Sequence, residues 1–101
     1  MAALVKSFRK VLDSGSAEQI TVLPILTQAF SIRAERDNAD NIYVGDSTVT
    51  ALTGMYLEPG DFNDKGARSL GRGYNSQYKL SLIYIIGTAG DAVRVEYESQ
   101  E

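Results

Sequence analysis

The chain has 101 residues, a formal net charge of −3 and 44% hydrophobic residues, the size and composition of one globular domain with a modest core. It contains no cysteine and no histidine, which excludes a disulfide framework, thiolate chemistry, the common zinc sites and the usual Ser-His-Asp triad. The mild acidity argues against general nucleic-acid binding, and no run approaches the length of a membrane span.

The first fourteen residues admit two readings. Leu4, Val5, Phe8, Val11 and Leu12 fall at helical spacing, but the segment also reads as a strand or an extended arm reaching a neighbouring subunit. Lys6 and Arg9 interrupt its apolar residues, so it lacks the core of a signal peptide, and synthesis in a cytoplasm is expected. Asp13 to Ser16 is a turn. Glu18 to Leu23 is β-prone, and Pro24 then marks an edge or a crossover.

Ala29 to Glu35 alternates cleanly, with Phe30, Ile32 and Ala34 facing one way and Ser31, Arg33 and Glu35 the other. Residues 36–41 form a polar turn. Ile42 to Val44 is the next strand, Thr48 to Leu52 is β-branched enough to extend the sheet, and Gly54 to Leu57 is a short strand stopped at Glu58-Pro59-Gly60-Asp61. Pro59-Gly60 fits the centre of a type II turn, because Pro fixes φ and Gly accepts a positive one. Residues 62–79 lack apolar patterning and read as one long loop. Leu80 to Ile86 and Ala92 to Glu98 flank a glycine-bearing turn and predict a closing β-hairpin. Seven short strands without a central helix predict an all-β fold: a small antiparallel β-sandwich or partial barrel, with an N-terminal arm (1–14) and one long loop (62–79). Phe30, Ile32, Ile42, Val44, Leu57, Val93 and Val95 are its expected core.

Catalytic and cofactor signals are weak. The glycine-rich stretch from Gly66 to Gly73 lacks the Lys-Ser/Thr pair of a phosphate loop. Asp37, Asp40 and Asp46, with Asn38 and Asn41, carry calcium-type oxygen ligands at the wrong spacing, and a solvated turn accounts for them. No carboxylate pair is singled out for glycoside hydrolysis. The expectation is a non-enzyme without cofactor or metal.

Binding chemistry concentrates in the long loop. Between residues 62 and 79, Lys65, Arg68, Arg72 and Lys79 stand against Asp64 alone, a local balance of +3, with Tyr74 and Tyr78 among them. Arg and Tyr are enriched at protein interfaces. A solvated surface loop is the other reading. The candidate partner-binding residues are Lys65, Arg68, Arg72, Tyr74 and Tyr78, together with Leu4 and Phe8 of the N-terminal segment.

Four pieces in order carry a resemblance: FSIRAE from Phe30 to Glu35, NADNIYVGD from Asn38 to Asp46, GMYLEPGD from Gly54 to Asp61, and LSLIYIIGTAGDAV from Leu80 to Val93. Together they resemble a recurring pattern in small β-sandwich structural proteins of tailed bacteriophages, over about residues 28–97. The sequence departs from that pattern between Asp61 and Lys79, where a single strand is usual. The resemblance implies a virion protein without catalytic residues: a capsid decoration or cement protein on the outer capsid surface that stabilises the head. Its partners would be the major capsid protein and further copies of itself, with a trimer as the favoured order, and neither nucleic acid nor membrane. The alternative is a receptor- or glycan-binding module of a fibre or tail, using Tyr74, Tyr78 or Tyr56.

Overall fold

A computed structural model describes residues 3–65 and 78–100, with 62–65 described as backbone. Among the described residues ten strands run in chain order: β1 Ala3–Val11, β2 Glu18–Gln19, β3 Leu26–Thr27, β4 Phe30–Ala34, β5 Ile42–Gly45, β6 Met55–Leu57, β7 Phe62–Lys65, β8 Tyr78–Lys79, β9 Tyr84–Ile86 and β10 Ala92–Gln100. They form two four-stranded sheets, sheet A in the order β1-β10-β4-β7 and sheet B in the order β2-β9-β5-β6, with β3 and β8 as a separate ribbon. Every pairing is antiparallel. The architecture is the expected all-β, sandwich-type fold.

Alternation explains which residues meet between the sheets. In β4, Phe30, Ile32 and Ala34 are buried while Arg33 is exposed. In β10, Val93 and Val95 point inward opposite Ala34 and Ile32. Sheet B contributes Ile42, Leu57 and Ile85, and Leu12, Ile20 and Leu80 complete the cluster. Each such aliphatic side chain contributes about 1.5–3 kcal/mol by leaving water. Six of the seven expected core residues are buried, four of them fully. Val44 is half-buried beside Met55, at a small apolar opening also lined by Phe30, Ile83 and Tyr78.

Several expectations are corrected. Of the readings open for the N-terminal segment the strand holds, in place of the arm or the helix: Ala3–Val11 pairs with β10 from Ala3↔Gln100 to Val11↔Ala92 and forms an edge of sheet A. A nine-rung ladder satisfies backbone groups that an extended arm would leave to water. The closing hairpin does not form. β9 pairs with β2 and β5 in sheet B, whereas β10 pairs with β1 and β4 in sheet A, so residues 87–91 carry the chain between sheets. The connection has its own turn, with the Asp91 N–H donating to the Thr88 carbonyl at 3.0 Å and Gly90 at φ +96°. It is docked on Leu12, which exchanges backbone hydrogen bonds with Gly90 and Asp91 at 2.9 and 2.8 Å.

Thr48 to Leu52 does not extend a sheet. Asp46 Oδ1 accepts hydrogen bonds from Thr48 N–H and Oγ1, and the Gly54 N–H closes on the Thr50 carbonyl. These local bonds give the backbone an alternative to a ladder. Residues 62–79 are not one loop throughout: the first four are β7, paired with β4, the last two are β8, paired with β3, and 66–77 lie outside the described residues. Pro24 does mark a crossover, between β2 of sheet B and β3 of the ribbon. At Glu58-Pro59-Gly60-Asp61, Gly60 takes φ +91° and the Asp61 N–H donates to the Glu58 carbonyl at 2.8 Å.

Candidate functional site: the arginine row of sheet A

The register of sheet A places Arg9 of β1, Arg94 of β10 and Arg33 of β4 opposite one another on the outer face. Like charges directly across strands repel. Glu35, just past the end of β4, relieves this. Its Oε2 accepts from Arg9 Nε at 2.5 Å and from Arg94 Nε at 3.0 Å, and its Oε1 accepts from Arg9 Nη2 at 2.8 Å. The Glu35 side chain is 15% exposed, whereas those of Arg9 and Arg94 are 54% and 69% exposed. The carboxylate is therefore the covered brace, and the guanidiniums are the presented groups.

Hydrogen bonding from Arg9 is the largest influence on Glu35. Burial opposes it, Arg94 adds to it, and the pKa falls from 4.5 to about 2. The same hydrogen bond, backed by the charge of Glu35, raises Arg9 above its ordinary value. Among the described residues, the terminal nitrogens of Arg94 have no hydrogen-bond partner, so they remain available to a ligand. A shallow groove of about 630 Å³ runs over the row, with Ser7, Ser31 and Glu96 beside the arginines. The exposed guanidiniums of the groove offer planar donors to acidic or polar groups.

A second exposed surface is apolar. Ile20 and Ile83 are tied by one backbone hydrogen bond and Leu80 and Ile25 by another, which lays residues 20–26 along 79–83. Between and beside these ties Val22, Leu23, Leu26 and Leu82 are exposed, with Val22 at 78%. Four exposed aliphatic side chains on adjoining segments are a candidate interaction surface.

The expected partner-binding residues fare differently. Phe8 and Tyr78 belong to an aromatic row inside the sandwich. Phe8 packs on Tyr97 at 6.1 Å, Tyr97 lies opposite Phe30 in register, and Phe30 meets Tyr78 edge-on at 5.1 Å. Both are half-buried and packed against the core, and Phe8 also lines the groove over the arginine row. Leu4 is 45% exposed near the start of the edge strand. Lys65 ends β7, where only its backbone is described, and Arg68, Arg72 and Tyr74 lie outside the described residues. Tyr56 is exposed on β6.

Sequence reading missed the arginine row because its members are far apart along the chain and only the register brings them together. The available signal was that Arg33 and Arg94 each occupy the polar phase of an alternating run; Arg9 carries no such signal, because residues 3–11 do not alternate. The acidic turn shows local roles. Asn38 exchanges two hydrogen bonds with the Ala92 backbone, and Asp46 caps its own turn. Asp91, buried, accepts from the Ala39 and Asp40 N–H groups at 2.9 and 3.0 Å. Among the described residues, no group of three acidic side chains is placed to hold a metal ion, and no helix is long and apolar enough to cross a membrane. No family model, no curated protein and no solved structure matches this chain.

Proposed function

We propose that this chain is a non-catalytic capsid decoration protein of a tailed bacteriophage, docking as a homo-oligomer on the major capsid protein and stabilising the head. The observation that carries the reading is the braced arginine row on sheet A. The Arg9 and Arg94 guanidiniums, already held by Glu35, lose little freedom on binding and present planar donors to carboxylates of a partner. The ordered resemblance of residues 28–97 to phage structural proteins supplies the class of partner. The exposed Val22, Leu23, Leu26 and Leu82 support contact between copies. Many modest contacts repeated by symmetry hold a shell without high affinity per copy.

The test is to strip virions of this protein and add back wild type or the Arg33→Glu/Arg94→Glu variant at two salt concentrations. Occupancy of the variant is expected to fall at least tenfold at low salt, and wild-type occupancy to fall as salt rises. Equal occupancy of the two proteins at both salts would remove the arginine row from the interface. A virion copy number near that of the capsid subunit separates decoration from a fibre or tail role, for which far fewer copies are expected.

A further inference from the structure

The outer face of sheet B is unlike that of sheet A. Its outward residues are those that alternate with the buried Ile42 and Ile85, and they include Tyr43, Tyr84 and Ile86. At one end of this face Tyr43 and Ile86 stand opposite each other in register and form one wall of a cleft of about 520 Å³. That volume is within the range of small-molecule sites. Asp40, Asn41 and Thr88 line the polar side.

The polar groups are held in place. The Asp40 N–H donates to the buried Asp91 carboxylate at 3.0 Å, and Asp40 Oδ2 accepts from Thr88 Oγ1 at 2.8 Å. Among the described residues the Asn41 carboxamide has no hydrogen-bond partner, so two donors and an acceptor remain available. Gly87 packs closely on the core beneath the cleft: a Cβ there would lie 3.0 Å from Leu12 Cδ1 and 3.1 Å from Ile42 Cγ1.

We propose that this cleft is a binding site for a neutral saccharide. A pyranose offers one apolar C–H face, which suits Tyr43 and Ile86, and adjacent hydroxyls that both donate and accept, which suit Asp40 and Asn41. No Lys or Arg is among the described residues that line the cleft, and Asp40 repels anions, so acidic sugars and phosphorylated ligands are disfavoured. The proposal goes beyond capsid docking and does not depend on it, because the arginine row lies on the other sheet.

The test is NMR titration of the whole protein, in separate experiments, with methyl α-glucoside, methyl α-mannoside, methyl β-galactoside, N-acetylglucosamine and the anionic N-acetylneuraminic acid. At least one neutral sugar is expected to shift the amides of residues 39–43 and 86–88, with a dissociation constant in the millimolar range. Asn41→Ala, which removes a side chain without a hydrogen-bond partner among the described residues, is expected to weaken that binding about tenfold. Tyr43→Ala is expected to abolish it, and if that variant does not fold, Asn41→Ala carries the test alone. The proposal is overturned if no neutral sugar shifts those amides, if only the anionic sugar does, or if Asn41→Ala binds as wild type does. Each of these outcomes leaves the virion add-back result untouched.

Discussion

At Glu35 one carboxylate meets two guanidiniums, and this sets how the outer face of sheet A responds to acid. The carboxyl titrates near 2 in the folded protein and near 4.5 when freed of Arg9 and Arg94. A depressed carboxyl stabilises the fold fully above the unfolded value, and that contribution is lost as pH falls through the folded one. Glu35→Gln is expected to cost about 1 kcal/mol at neutral pH, the upper end for ion pairs near the surface. In urea denaturation, the stability gap between wild type and Glu35→Gln is expected to close between pH 4.5 and 2. A gap of constant size across that window would show that the ion pairs are energetically idle. Glu18 also titrates low, and it acts equally in both proteins. Burial pushes it up, while hydrogen bonds from Lys10 and from the Ser14 and Asp13 backbone outweigh that effect.

Among the elements, residues 46–54 show how local chemistry overrides strand propensity. Val49 is β-branched and suited to a strand, yet Asp46 and Thr50 turn the chain back on itself. Val49 is consequently buried against Gly45 and Gly54 rather than within the core cluster. A Cβ at Gly54 would lie 2.6 Å from Val49 Cγ2 and 2.8 Å from Tyr43 Cβ, neither at the end of a long flexible side chain. Gly54→Ala is therefore expected to cost about 1–3 kcal/mol by overpacking. The melting temperature should fall by about 4–8 °C per kcal/mol. Gly15→Ala, where a Cβ meets nothing within 4 Å, serves as the control and should melt near wild type. The run from Leu80 to Ile86 shows the other limit of pattern reading. It is apolar in both phases, so period two was not readable there. The chain spends Leu80–Leu82 in a 3-10 turn that buries Leu80 before β9 begins.

For the whole molecule, the two sheets present different chemistry to solvent, a charged face on sheet A and a tyrosine-bearing face on sheet B. The apolar surface of Val22, Leu23, Leu26 and Leu82 adds a third. Leu23 is 59% and Leu82 64% exposed, so replacing both with Asp leaves the core packing intact. On the homo-oligomer reading, Leu23→Asp/Leu82→Asp is expected to run as a monomer in light scattering while unfolding at a temperature close to that of its own folded subunit. An unchanged mass would move the self-contact to another surface, with the unpaired edge of β1 the next to test.

The alternation of Phe30 to Ala34 and of Val93 to Tyr97, and the turn at Pro59-Gly60, were legible because period and turn chemistry are local properties of the chain. They determined an all-β domain and most of its core. They did not determine partners. Alternation says which side of a strand is dry, but nothing about which strand lies beside it or which sheet receives it. That is why adjacent β9 and β10 read as a hairpin and yet joined different sheets, and why Ala3–Val11 read as arm or strand, with a helix as the other reading, until β10 paired with it. The candidate sites follow the same division. Arg9, Arg33, Glu35 and Arg94 become one surface, and Asp40, Tyr43 and Thr88 one cleft, only through ladders and turns that join distant parts of the chain.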